Sequence, residues 1–123
     1  NGGNYNVGVG YKAGGSSTAS DSCTFIGYSS GGASTAGDDN TCVGYSAGGL
    51  TTTGNGNTSL GWNSDPSSAT ASNEFTLGST NVTTLRCNDT SISTLSDQRD
   101  KTEIVDSPYG LSFINTVRPV QYK

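Results

Sequence analysis

The stretch Asn40-Thr41-Cys42-Val43-Gly44-Tyr45-Ser46-Ala47-Gly48-Gly49 decides how the chain folds. Its aliphatic-Gly pair recurs every seventeen residues, at Val9-Gly10, Ile26-Gly27, Val43-Gly44, Leu60-Gly61 and Leu77-Gly78. Neighbouring positions keep the same period. After the glycine come Tyr11, Tyr28, Tyr45 and Trp62, then Ser79 in the fifth copy. Two residues further on are Ala13, Ser30, Ala47 and Ser64, followed by Gly14-Gly15, Gly31-Gly32 and Gly48-Gly49, and by Asp65-Pro66 in the fourth copy. A fixed period of this length marks a stack of repeats, whose terminal copies are commonly atypical.

The local pattern names the conformation. Apolar or Thr positions alternate at Val7 and Val9, Thr24 and Ile26, Thr41 and Val43, Thr58 and Leu60, Phe75 and Leu77. Period two predicts a strand with this face turned inward. The glycine that follows allows a tight bend or a positive φ, and the double glycine supplies a second corner. Seventeen residues hold two short strands and two turns, which is one rung of an all-β solenoid. Five rungs stacked about 4.8 Å apart span about 24 Å, with roughly two apolar side chains buried in each. A roll so slender is expected to need oligomerisation.

Composition agrees and closes other routes. Of 123 residues, 30% are hydrophobic and 13% charged, and 18 are glycine. That is too little apolar side chain for a thick core. The modest net charge and the regular return of Val, Ile, Leu and Tyr oppose disorder. The chain has no His, which excludes a Ser-His-Asp triad, a Cys-His pair and a His-ligated metal. A net charge of −4 with only six Lys and Arg argues against nucleic acid. No apolar run approaches the roughly 20 residues of a membrane helix, so no membrane insertion is expected.

No cofactor or metal is expected either. Cys23, Cys42 and Cys87 form no CxxC and are too few for a zinc site or a disulfide scaffold. On a solenoid Cys23 and Cys42 would sit roughly 8 Å apart, beyond disulfide reach, and both are predicted to be free thiols. Asp38-Asp39, the one adjacent acidic pair, is the only place a calcium ion comes into consideration. No carboxylate pair can be read as a glycosidase site. Gly8-Val9-Gly10-Tyr11-Lys12-Ala13-Gly14-Gly15 lacks the Gly-Lys-Ser/Thr ending of a phosphate loop. The aromatic column Tyr11, Tyr28, Tyr45 and Trp62 has two readings. It is a ladder for stacking sugar rings, or, as we favour, packing between subunits or over rung corners.

The Asn/Thr-x-aliphatic-Gly-x-x-Ala-Gly pattern of Asn40 to Gly48 resembles the head repeats of trimeric autotransporter adhesins and the related repeats of bacteriophage tail fibres. The resemblance covers about residues 4–80. Those repeats are β-rolls wound side by side, so it implies a homotrimer.

From about residue 81 the register stops. Residues 81–95 are Thr- and Ser-rich, with Val82, Leu85, Ile92 and Leu95 spaced like a strand or an extended neck. Then Leu95-Ser96-Asp97-Gln98-Arg99-Asp100-Lys101 is followed by Ile104, Leu111, Ile114, Pro119-Val120 and Tyr122. This order resembles the opening of the endosialidase-type intramolecular chaperone domain, a small α+β start, with Asp100 where Leu is usual. The chain ends at Lys123, so only that opening, residues 96–123, is covered.

In that family the domain trimerises the fibre and then cuts itself off. The resemblance implies Leu95–Ser96 as the scissile bond, Ser96 as nucleophile, Lys101 as its base and Asp97 as an orienting group. A serine can attack the carbonyl before it once a desolvated lysine takes its proton. The same Ser96-Asp97 pair also reads as the cap of a helix starting near Gln98. No turnover enzyme is expected.

Together these readings imply the structural and host-attachment part of a phage tail fibre, located in the virion and assembled in the host cytoplasm. Expected partners are two further copies of the chain, upstream fibre or baseplate proteins, and a bacterial surface polysaccharide or outer-membrane receptor. The alternatives are a bacterial adhesin head and the C-terminal part of a polysaccharide-degrading tailspike.

Overall fold

A computed structural model of the chain describes residues 3–88. By internal packing the chain divides into Asn1–Arg86 and Cys87–Lys123, and the architecture below belongs to the first unit. Five three-residue strands follow one another: β1 Val7–Val9, β2 Thr24–Ile26, β3 Thr41–Val43, β4 Thr58–Leu60 and β5 Phe75–Leu77. They form one parallel sheet in chain order, each residue paired with the residue seventeen places on. The protein is a parallel β-solenoid of about four turns.

Each rung holds one strand rather than the two expected from its length. The remaining residues still stack on the next rung, through isolated backbone hydrogen bonds. Gly31 N–H donates to the Ala47 carbonyl at 2.8 Å, Ser46 to Tyr28 at 2.9 Å and Thr35 to Thr52 at 2.9 Å. Turn geometry interrupts the ladder too often for a second strand to form.

Glycine sets the first corner. Gly10, Gly27, Gly44 and Gly61 have φ of +127°, +130°, +135° and +117°, which L side chains rarely adopt. Space forbids a side chain as well. A Cβ at Gly10 would lie 2.6 Å from the Gly27 carbonyl oxygen, and one at Gly27 or Gly44 would collide with the same group one rung on. The period is therefore enforced by backbone crowding.

The inward face is the opposite of the one the alternation predicted. At the strand centres Phe25, Cys42 and Ser59 are buried, whereas Val9, Ile26, Leu60 and Leu77 are exposed. The cause is the narrow bore of the roll, which is filled mostly by small side chains and leaves little room for branched aliphatics. Cys23, Phe25, Cys42 and Ala47 are the buried hydrophobic residues, and Ser20, Ser30, Ser34, Asn40, Thr51, Asn57, Ser59 and Ser64 fill most of the rest. Phe25 fits because its ring lies against Gly14 and Gly31, where any Cβ would strike it.

So polar an interior must be hydrogen-bonded. Asn40 Oδ1 accepts from the Asn57 N–H at 2.9 Å while its Nδ2 donates to the Gly54 carbonyl at 2.7 Å. Asn57 repeats this with the Glu74 N–H and the Ala71 carbonyl, and Asn6 with the Cys23 N–H and the Ser20 carbonyl. On the outside, Thr18, Thr35 and Thr52 hydroxyls each donate to the carbonyl seventeen residues on. Asp38 and Asn55 side chains accept the N–H of Asp21 and Asp38. Every such bond ties one rung to the next, at about 1 kcal/mol each net.

Candidate functional site

The outer surface of the sheet carries three parallel columns. The first is Val7, Thr24, Thr41, Thr58 and Phe75; the second is Val9, Ile26, Val43, Leu60 and Leu77. Just beyond the glycine corner stands the third, Tyr11, Tyr28, Tyr45 and Trp62. Because Val9, Ile26, Val43 and Leu60 each precede a corner glycine, strand geometry sends them outward while the residue before them turns into the bore. None of the fourteen positions is charged. Val9 is 57% exposed, Leu77 46%, Phe75 67% and Trp62 56%.

The aromatic column is ordered by its own contacts. The Tyr11 and Tyr28 ring centroids are 5.2 Å apart, as are those of Tyr28 and Tyr45, with interplanar angles of 22° and 7°. Lys12 Nζ lies 5.6 Å from the Tyr11 ring centroid. Tyr28 thus has a neighbouring ring on each face. A pyranose stacks on an aromatic face, and both faces of Tyr28 are already covered by its neighbours.

The cysteines sit elsewhere. Cys23 and Cys42 are buried free thiols, as the spacing predicted. Cys23 Sγ donates to the Gly37 carbonyl at 3.2 Å, occupying the column that Asn6, Asn40 and Asn57 hold in other rungs. Burial pushes the Cys23 thiol upward and the Cys42 thiol up to about 12, so neither is a ready nucleophile. Glu74, exposed, is held below the usual carboxylate range by hydrogen bonds from the Ser67 hydroxyl and N–H.

A cavity of about 320 Å³ opens beside the first rung, lined among others by Tyr5, Asn6, Gly8, Gly14 and Phe25. It lies where Gly8 contributes no side chain to the bore. Among the described residues no three of His, Cys, Asp and Glu come together to hold a metal ion, Asp38 and Asp39 included. Ser96, Asp97 and Lys101, with the Leu95–Ser96 bond, lie outside the described residues.

The sequence reading missed the two outward strand columns as a surface. A signal was present: the strand centres read Gly8, Phe25, Cys42, Ser59 and Thr76, mostly small, which suits a narrow bore better than a column of branched aliphatics. Comparison with protein-family models, with curated proteins and with solved structures finds no match to this chain.

Proposed function

We propose that the chain is the structural and host-attachment part of a bacteriophage tail fibre, working as a homotrimer in the virion. The observation that carries the reading is the seventeen-residue roll itself. A stack of rungs joined by aligned backbone and side-chain ladders is a rod, and a rod serves mechanical presentation. The motif at Asn40 to Gly48 and the stretch Leu95 to Tyr122 supply the fibre-specific part of the reading, through the resemblance stated above.

In this function the roll holds a fixed surface near the fibre tip, toward a polysaccharide or outer-membrane receptor of the bacterial cell. The segment from Ser96 onward begins the chaperone that aligns three chains: Ser96 Oγ attacks the Leu95 carbonyl as Lys101 takes its proton, the Leu95–Ser96 C–N bond breaks as the proton passes to its nitrogen, and water hydrolyses the resulting ester. Mass spectrometry of the full-length gene product beside its Ser96→Ala variant tests this. A native trimer whose subunits end at Leu95, with the variant uncut, is the expected result. An uncut trimer in both proteins reduces Ser96 to a helix cap, and a monomer removes the fibre reading.

A further inference from the structure

We infer that Asn55-Gly56 is a deamidation site that the rung ladder holds shut, so that its side chain is converted only when the fourth rung opens. Among the described residues Asn55 is the one Asn followed by Gly, and both residues are exposed. Gly56 has φ +65° and no Cβ to obstruct the approach of its own nitrogen.

The chemistry needs only the chain and water. Gly56 N loses its proton and attacks Asn55 Cγ, closing a five-membered succinimide ring. The bond from Cγ to the side-chain amide nitrogen breaks, and ammonia leaves with the proton. Water then opens the ring in one of two ways. Attack at Cγ gives an aspartate in an ordinary backbone. Attack at the main-chain carbonyl gives a β-linked aspartate, whose backbone path is one carbon longer.

The native geometry opposes the first step. Asn55 Oδ1 accepts the Asp38 N–H at 2.8 Å, and the Gly56 N–H donates to the Asp38 carbonyl at 2.9 Å. Side chain and attacking nitrogen are thus both tied to the rung before. On the rung after, Ser72 Oγ accepts the Asn55 N–H at 2.9 Å, and the Asn73 N–H donates to the Asn55 carbonyl at 2.9 Å. Ring closure must swing Cγ away from Asp38 and free the Gly56 nitrogen, so at least two of these bonds break together. One net hydrogen bond is worth about fivefold in such an opening equilibrium, and two slow the reaction by more than about tenfold.

The ladder also separates the two products. Along the column Asn4, Asp21, Asp38, Asn55 and Ser72, carboxylates already stand in the second and third rungs. Asp21 Oδ1 accepts the Asn4 N–H, and Asp38 Oδ1 accepts the Asp21 N–H. The ordinary aspartate therefore takes the place of Asn55 with its bond to Asp38 intact. The β-linked product exchanges side chain and main chain, and it cannot keep the bonds to both Asp38 and Asn73. Each conversion leaves a covalent record that this rung had come open.

The test is peptide mapping by mass spectrometry after incubation of the 123-residue chain at mildly alkaline pH, in buffer and in unfolding urea. Mapping separates Asn55-Gly56 from Asn1-Gly2, which contains residues outside the described ones. The expected result is replacement of amide by acid at Asn55 in urea, and the same reaction more than about tenfold slower in buffer. Ser72→Ala should speed the reaction in buffer about fivefold and leave the rate in urea unchanged. Asn55→Asp should unfold at the wild-type urea midpoint.

No conversion in urea overturns the site, and equal wild-type rates in buffer and urea overturn the latch even if Ser72→Ala fails to fold. A folded Ser72→Ala protein with the wild-type rate in buffer also removes the ladder as the latch. A lower urea midpoint for Asn55→Asp refutes the acceptance of the ordinary aspartate.

Discussion

The repeats contain a pairing of residues that a double-mutant cycle can measure. Three residues before each Asn of this column stands a glycine: Gly3 before Asn6, Gly37 before Asn40, Gly54 before Asn57. A Cβ at those glycines would strike the carbonyl oxygen one rung on, of Ser20, Gly54 and Ala71, and would also approach the Asn Nδ2 to 2.8, 2.8 and 3.0 Å. In the second rung the glycine is Ser20, and the Asn is the shorter Cys23; in the fifth they are Ala71 and Glu74. The amide and the Cβ exclude one another.

Cys23→Asn alone therefore presses an amide onto the Ser20 Cβ, an overpacking that costs about 1–3 kcal/mol. Ser20→Gly alone removes the buried hydroxyl contact with Ser34 Oγ at 3.2 Å and loosens the backbone, costing about 2 kcal/mol in all. Combined, they install the two amide hydrogen bonds seen in the third and fourth rungs, worth about 1 kcal/mol each, and relieve the clash. The double variant is expected near wild-type stability, about 4 kcal/mol above the sum of the two single losses. Urea unfolding at one fixed protein concentration reads this as a midpoint difference of about 2–4 M between the double variant and the additive expectation. Additivity within about 0.5 kcal/mol would refute the idea that amide and Cβ compete for one space.

Further expectations follow from single positions. Gly44→Ala should cost more than about 3 kcal/mol, since the residue has φ +135° and its Cβ meets the Gly61 carbonyl; Gly49→Ala, outside the positive-φ region, should cost about 1 kcal/mol in the same urea assay. Thr51 Oγ1 is buried without a hydrogen-bond partner, so Thr51→Val should raise stability by about 1 kcal/mol, and a lower melting temperature would count against an idle hydroxyl. Burial holds the native Cys42 thiol up near 12 against 9.0 for an unperturbed thiol. A native value above the unfolded one means the unfolded chain releases its proton first. The stability from this thiol is full below pH 9 and is lost as pH rises from 9 toward 12. Cys42→Ser should flatten that decline, and equal pH profiles for the two proteins would remove the thiol from the account.

The seventeen-residue period was legible because a positive φ falls on the same glycine in all five copies, and in the first three a carbonyl one rung on crowds it as well. The positive φ is what Gly10, Gly27, Gly44, Gly61 and Gly78 share while neighbouring columns drift. The free thiols were legible from rung spacing. The inward face was not. Alternation tells that two faces differ, but not which one the chain encloses, and the usual rule that apolar means inside fails where the bore is too narrow for Val or Leu. Phe25 shows the exception, since it needs Gly14 and Gly31 to make room. The aromatic column could be placed on one line from sequence. Its stacking depended on the 5.2 Å approach of rings in successive rungs, which spacing alone does not give.

The ladders that run from rung to rung also fix how the roll answers to tension. Each set of bonds lies along the axis, so a pull on its two ends loads the rungs in series, and the end rung peels before its neighbour carries its full share. Seventeen residues released at about 3.4 Å each would lengthen the tether by roughly 50 Å per event. A single roll stretched between two attachment points should therefore yield in even steps, a mechanical fuse with one stage for each turn of the helix.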